Sequence, residues 1–196
     1  MLGKIAHCLA VALVAGALLV AGWRSLRLAW AEYLAQKGTL EAASAAVKVE
    51  PRAAHYWYGL AILQGQAGLN SRDALARAVS ASPRDTRWRT ELALRAELDG
   101  ELAVAESQLL QAATLSRKFA PRWALANYYY RHGPEDEFWR WIREALQVSY
   151  GDRRPLFELC WSVSPSPRTI WERAVPERAV VQLDYAWFLL GKHCVP

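Results

Sequence analysis

The sequence predicts an all-α fold, in which antiparallel helix hairpins form an α-solenoid behind one N-terminal transmembrane helix. Three observations predict this class. The 196 residues are 53% hydrophobic and 22% charged, which excludes a disordered chain, and alanine supplies much of the apolar share, as in close-packed helices. An uncharged segment near the N-terminus has the length of a membrane span. Beyond that segment, a pattern with a period of about 32 residues recurs along the chain.

The apolar segment lies between Lys4 and Arg24, where nineteen residues carry no formal charge. As a helix it would be about 28 Å long, close to the hydrocarbon thickness of a bilayer. It ends in Trp23, followed by Arg24, and this pair suits the membrane interface. We therefore predict a single-pass anchor over residues 1–23 that contacts the lipid bilayer through residues 5–23.

Two properties of this anchor stay open. Val20, Ala21 and Gly22 match a small-residue cleavage site, so a cleaved signal peptide is the alternative to a retained helix. Basic residues are more numerous after the segment than before it, which favours a cytoplasmic domain. Long domains nevertheless cross membranes despite flanking charge, so the side of the membrane is not assigned.

The anchor also contains small residues at a spacing that suits helix association. Ala12 with Gly16, and Ala17 with Ala21, have the separation that lets two membrane helices approach closely. In an alanine-rich segment this spacing also arises by chance, so an oligomer stays a hypothesis.

The repeat has three marker positions. A large residue followed by a small one recurs at intervals of 30, 32 and 33 residues, in Trp30-Ala31, Leu60-Ala61, Leu92-Ala93 and Leu125-Ala126. A glycine follows each pair, in Gly38, Gly68, Gly100 and Gly133. An alanine comes later in each unit, at Ala46, Ala78, Ala112 and Ala145. The pattern predicts one helix hairpin per unit, with the small residues where helices cross and a left-handed glycine ending the first helix.

These residues resemble the tetratricopeptide repeat family. The second unit matches the start of the family's motif, and the third unit matches its middle and end. The fourth unit matches as well. The matching residues are Trp57, Leu60 and Ala61 in the second unit, Leu92, Ala93, Gly100, Ala105, Leu109 and Ala112 in the third, and Leu125, Ala126, Tyr129, Gly133, Ala145 and Leu146 in the fourth. Arg89 and Arg122 depart from the motif, because they stand at its opening tryptophan. The resemblance covers residues 24–150 as four hairpins, and the register of four units makes it specific.

A degenerate fifth repeat and a C-terminal capping helix are predicted over residues 151–196. Cys160 takes the small-residue place of this unit, so we interpret it as a buried small hydrophobe and not as a reactive thiol. Prolines over residues 164–167 and at Pro176 interrupt the helices, and a last amphipathic helix is predicted over residues 177–190. The alternative is that the chain is part of a longer repeat array.

The resemblance implies that a concave face, formed by the first helix of each hairpin, binds extended peptides or partner helices. Carried over position by position, it implies a groove formed by Tyr58, Arg87, Thr90, Glu97, Trp123, Asn127, Tyr130 and Arg131. An asparagine at the place of Asn127 binds a ligand's main chain in peptide-binding members, since an amide both donates and accepts hydrogen bonds. Ile62 and Leu94 stand where the family has its carboxylate clamp, so that clamp is predicted to be absent.

Aromatic residues are divided between core and groove by the same alignment. In the run of three tyrosines, Tyr129 takes the packing position, Tyr128 lies nearer the neighbouring unit and Tyr130 points to the groove. Most of the ten tryptophans are interpreted as packing between helices. Trp139 and Trp141 cannot share one helical face, so at least one should reach another unit or a partner.

No catalytic, cofactor or metal site is predicted. The three cysteines, at positions 8, 160 and 194, form neither a disulfide framework nor a zinc site, and the four histidines lack metal-ligand spacing. The acidic run from Glu135 to Glu137 is interpreted as the first turn of a helix, where carboxylates favour the positive end of the dipole. The net charge of +5 comes without a clustered basic run, so nucleic acid is not an expected partner.

The sequence therefore predicts a protein that is not an enzyme and that binds one or more membrane-associated protein partners. The favoured hypothesis is a membrane-anchored adaptor or scaffold that binds its partner through the concave groove. Resemblance to anchored bacterial repeat proteins implies the inner membrane, and envelope assembly or polysaccharide export as the setting. The alternative is a structural accessory subunit of a membrane complex, with no peptide-reading groove.

Overall fold

The computed structural model describes residues 2–192, and of residues 2–9 the backbone alone. Over this range the chain forms helices and contains no strand, which confirms the predicted all-α class. The chain divides into two compact units, unit 1 over residues 1–83 and unit 2 over residues 84–196.

Unit 1 contains four helices in its described part. They are α1 (Leu2–Gln36), α2 (Leu40–Val49), α3 (Ala54–Gln66) and α4 (Arg72–Ala81), and each packs against the next. Thr39 caps α2, because its hydroxyl accepts a hydrogen bond from the Ala42 amide at 3.3 Å. The Tyr56 hydroxyl donates to Glu32 at 3.2 Å and so joins α3 to α1.

Helix α1 is long and apolar enough to cross a membrane. Over Ala10–Gln36 it contains an 18-residue window with a mean hydropathy of 1.5, and no residue of that window is buried. It is also unbroken, so the predicted boundary after residue 23 falls inside a helix. Near its end Ala31 and Leu34 are buried in the core of unit 1. The same helix therefore carries the predicted anchor and the first half of the first hairpin.

Unit 2 contains seven helices in its described part. They are α5 (Thr86–Leu98), α6 (Leu102–Leu115), α7 (Phe119–His132), α8 (Glu135–Val148), α9 (Arg154–Val163), α10 (Pro167–Arg173) and α11 (Ala179–Gly191). Helices α5 to α9 pack in chain order or as next neighbours, while α10 contacts α8 and α11 contacts α9. The predicted last helix over residues 177–190 corresponds to α11. The cores differ in composition, since unit 1 buries mainly alanine and leucine and unit 2 buries eight large aromatic side chains in one cluster.

The alanines of the repeat lie where the sequence pattern places them. None of the eight is more than 3% exposed: Ala31, Ala46, Ala61, Ala78, Ala93, Ala112, Ala126 and Ala145. A methyl group is the largest side chain that lets helix backbones approach closely at a crossing, so this burial supplies the steric reason for the repeat. Cys160, at the same place in the fifth unit, is fully buried as well.

The repeat glycines follow the prediction at three positions of four. Gly38, Gly68 and Gly100 have φ values of 65°, 72° and 79°, the left-handed conformation that ends a helix. The prediction is wrong for Gly133, which is extended with φ −110° and ψ −179°. The reason is the next residue, because Pro134 forces the residue before it out of the helical and turn conformations.

Gly133 is nevertheless the residue that its surroundings allow. A Cβ atom at this position would lie 2.1 Å from Cδ1 of the Tyr129 ring. That ring is buried, and its hydroxyl is tied to Glu106 at 2.7 Å. The ring therefore cannot swing aside without breaking a buried contact.

We expect Gly133→Ala to lower the free energy of unfolding by about 1–3 kcal/mol, because the added methyl group overpacks a fixed ring. Urea unfolding of the detergent-solubilised chain, followed by circular dichroism, measures the change. Gly65→Ala is the matched control, since nothing lies within 4 Å of its added Cβ and it sits in α3. A Gly133→Ala variant as stable as Gly65→Ala would contradict the packing account.

Candidate functional site

The first helices of the hairpins in unit 2 are joined by an ion pair between two predicted groove residues. Arg131, on α7, donates from Nε and Nη2 to the two carboxylate oxygens of Glu97, on α5, at 2.7 and 2.9 Å. His132 Nε2 lies 2.7 Å from Glu97 Oε1. The structure thus brings Glu97 and Arg131 together and adds His132, which the sequence analysis did not include.

Glu97 is the enclosed member of this cluster. Its side chain is 10% exposed, whereas that of Arg131 is 40% exposed. Burial raises the pKa of Glu97, but the hydrogen bonds from Arg131 and His132 outweigh burial and hold this pKa below its ordinary value of 4.5. The carboxylate is therefore ionised at neutral pH and fixes the spacing of α5 and α7.

Of the three consecutive tyrosines, two are buried and one is exposed. Tyr128 is buried and its hydroxyl donates to the Leu102 carbonyl oxygen at 2.9 Å, across to α6. Tyr129 is buried beside it and donates to Glu106 of the same helix, and burial together with that carboxylate raises the pKa of Tyr129 strongly. Tyr130 is 44% exposed.

Tyr130 lies on the side of α7 that faces α9. The Tyr130 hydroxyl donates to the Ser162 hydroxyl oxygen, near the end of α9, at 3.3 Å, because the Ser162 proton goes to the Leu159 carbonyl oxygen at 2.8 Å. The Tyr130 ring also lies 6.0 Å from the Phe138 ring, measured between centroids. The Glu97–Arg131 pair links α5 to α7, and the Tyr130–Ser162 contact links α7 to α9. We call the surface that carries Glu97, Tyr130 and Arg131 the leading-helix face.

Asn127 makes a hydrogen bond within its own helix. Its Nδ2 donates to the Trp123 carbonyl oxygen at 2.8 Å, one helical turn earlier. A short amide side chain commonly satisfies a backbone carbonyl of its own helix in this way. An amide nitrogen carries two hydrogens, so, among the described groups, Asn127 keeps one N–H donor and the Oδ1 acceptor.

The remaining predicted groove residues are engaged locally. Trp123 stacks on Phe119 at 6.0 Å between centroids, Thr90 donates to the Thr86 carbonyl oxygen at 3.0 Å, and Arg87 pairs with Asp85 at 2.6 Å. Tyr58 is half-buried on α3 and belongs to unit 1. The structure therefore groups Glu97, Arg131 and Tyr130 on the leading-helix face of unit 2 and leaves Tyr58 with the other unit.

A second surface was missed by the sequence analysis. Helix α11 buries Val181, Tyr185 and Phe188 in the core of unit 2. Its opposite side carries four large apolar residues that are each 48–66% exposed: Val180, Leu183, Trp187 and Leu190. Their spacing of three, four and three residues is that of the apolar seam of a coiled coil, and this periodicity is present in the sequence. We call this set the α11 stripe.

The acidic run from Glu135 to Glu137 makes structural contacts with neighbouring side chains. Glu135 accepts from the Trp139 indole at 2.7 Å, Glu137 accepts from the Trp141 indole at 3.0 Å, and Arg173 pairs with Glu135 at 3.1 Å. The acidic run thus occupies the first turn of α8, as predicted, and binds both tryptophans. Both indoles are buried, because α7 and α10 cover different sides of α8.

In the described part of the chain, no group of three or more His, Cys, Asp or Glu side chains is arranged as metal ligands are. The side chains of His7 and Cys8, and the whole of His193 and Cys194, lie outside the described residues. Burial raises the pKa of the Cys160 thiol to about 12, which disfavours the nucleophilic thiolate.

Comparison with known proteins adds no relative. No protein-family model matches the chain, and no curated protein matches it by sequence.

We expect Glu97→Gln to lower stability by about 1–2 kcal/mol at neutral pH, since it removes the charge that Arg131 and His132 bind. Because the pKa of Glu97 is depressed in the folded state, its contribution is present above about pH 4.5 and is lost as the pH falls below that value. Urea unfolding across this pH range should therefore show a shallower acid slope in the variant. Glu177→Gln, at an exposed carboxylate of the same unit, is the control, and equal slopes in both variants would contradict the assignment.

We also expect Cys160 to react with iodoacetamide at pH 8 at least about 10³-fold more slowly than an exposed thiol, because its thiolate is scarce and enclosed. Peptide mass spectrometry resolves the alkylation of Cys160 from that of the other cysteines. The same chain in urea is the reference, and equal rates in the two states would show that the thiol is accessible in the fold.

Proposed function

We propose that the chain is a membrane-anchored scaffold whose helices form tetratricopeptide-like hairpins and whose folded part binds a partner protein. One observation carries the proposal: α1 passes without a break from an exposed apolar stretch into buried contacts with α2. A helix of this kind would hold hairpins against a bilayer. Burial of the eight repeat alanines supports hairpins of the tetratricopeptide type in each unit.

The proposed partner site is the leading-helix face of unit 2. Glu97 and Arg131 fix its two helices, so partner binding would require little ordering of the site. Tyr130 and Leu94 offer exposed apolar surface, at 44% and 38% exposure, and Asn127 Oδ1 offers an acceptor for a main-chain N–H. An extended segment with one apolar side chain beside a free amide would satisfy these groups. The bacterial inner membrane, with a role in envelope assembly or polysaccharide export, is the setting we propose from the family resemblance.

The second candidate is a structural accessory subunit of a membrane complex, and the α11 stripe favours it. Four large apolar side chains in a row exceed the scattered exposure of an ordinary surface and are typical of a protein contact. In this case the partner would be a helix with a matching seam, and the leading-helix face would carry no ligand.

Two double variants separate these candidates. Asn127→Ala with Tyr130→Ala alters the leading-helix face, and Leu183→Ser with Trp187→Ser alters the α11 stripe. Tagged full-length protein would be captured from gently solubilised native membranes, and the bound proteins quantified against the wild type. Tyr130, Leu183 and Trp187 are exposed and Asn127 is half-buried, so circular dichroism should show folded protein in each variant.

We expect a stoichiometric partner to be reduced by about 10-fold or more in the Asn127/Tyr130 variant, in line with the cost of losing a central contact, and to be retained in the Leu183/Trp187 variant. The opposite pattern would replace the adaptor with the structural subunit. A partner retained by both variants would exclude both surfaces.

A further inference from the structure

The C-terminal end of α2 lies beside the part of α1 where the apolar segment ends. Residues 37–39 join the two helices, which pack side by side and therefore run antiparallel. At the far end of this hairpin, Arg27 Nε donates to the Val49 carbonyl oxygen at 2.7 Å and lies 3.6 Å from Glu50 Oε2. Arg27 is about 6 Å along the helix from Trp23, given a rise of about 1.5 Å per residue. Residues 48–53 thus lie beside the interface end of the proposed membrane helix.

Two adjoining concavities occupy this junction. One, of about 640 Å³, is lined by Trp23, Arg24, Arg27 and Arg52 among others. The other, of about 750 Å³, is lined mainly by apolar side chains, including Leu26 and Trp30. Because Trp23 and Arg27 line both, a polar basin and an apolar groove open side by side.

The charge at the junction is positive. Its cations are Arg24, Arg27, Lys48 and Arg52, and Glu50 is the acidic residue among the lining residues. Glu50 and the Val49 carbonyl oxygen already engage Arg27. Arg24, Lys48 and Arg52 are exposed, and within the described side chains none has an ion pair or a hydrogen bond. The basin is therefore lined by two exposed guanidinium groups, those of Arg24 and Arg52, and guanidinium groups bind phosphate oxygens well.

We propose that an anionic phospholipid binds at the junction of α1 and α2. Arg24 and Arg52 hold its phosphate, and an acyl chain lies along Leu26 and Trp30. The apolar groove selects a lipid over a free phosphate ion, and the excess of cations selects an anionic headgroup over a zwitterionic one. This inference rests on the proposed insertion of α1 in a membrane and is independent of any protein partner.

Native mass spectrometry of the full-length chain in detergent, titrated with phosphatidylglycerol or phosphatidylcholine, tests the site. The test variant is Arg24→Gln with Arg52→Gln. The matched control is Arg84→Gln with Arg117→Gln, which makes the same change in net charge at two exposed arginines of unit 2.

We expect the wild type to prefer phosphatidylglycerol. The test variant should lose about fivefold in affinity per arginine, and so about 25-fold in all, while the control keeps the wild-type affinity. Equal binding of the two lipids by the wild type, or equal loss in both variants, would overturn the site. Displacement of phosphatidylglycerol by excess inorganic phosphate would overturn the lipid assignment in favour of a plain anion site.

Flotation with phosphatidylcholine vesicles tests the membrane insertion of α1 separately from the lipid site. A chain that does not float with these vesicles contradicts membrane anchoring, and the lipid site with it. If the wild type and both variants float, but the wild type shows no preference for phosphatidylglycerol in the mass spectra, the membrane anchor stands and the lipid site alone is contradicted.

Discussion

Close approach of neighbouring helices depends on small side chains between them. In both units the repeat alanines have almost no exposed surface, and the similarly small Cys160 is buried at the corresponding place of the fifth repeat. A larger side chain there would separate the helix backbones and remove the contacts on either side of the crossing. The other features of each hairpin, including the turn glycine and the tyrosine contacts, require that the helices already lie this close together.

Small residues alone do not define the pairing of the helices, and polar contacts across the hairpins complete it. Arg89, on α5, donates to Gln108 and Gln111 of α6 at 3.0 and 2.8 Å. Arg122, on α7, lies 3.2 Å from Glu144 of α8. Each arginine thus joins the two helices of one pair, α5 with α6 and α7 with α8, through polar contacts.

The sequence predicted structure correctly at positions where the local spacing of one residue type has a single steric cause. The repeat period located the helix pairs, the buried alanines and the division of the three tyrosines, because each depends on local spacing. It misplaced Gly133, since the effect of the following proline outweighs the repeat. It also could not show that Asn127 donates a hydrogen bond to its own helix, or that His132 joins Glu97 and Arg131, because these contacts depend on side-chain rotamers and on the distance between α5 and α7. The α11 stripe is a different case, since its apolar spacing is present in the sequence and could have predicted the exposed surface.

The continuity of α1 has a mechanical consequence. From Trp23 to its end at Gln36 the helix extends about 20 Å, and no flexible joint interrupts it. A tilt of about 20°, ordinary for a membrane helix, would displace Gln36 sideways by about 7 Å. The first hairpin would move with it as one body. A change in bilayer thickness that altered this tilt would therefore also move the folded part of unit 1.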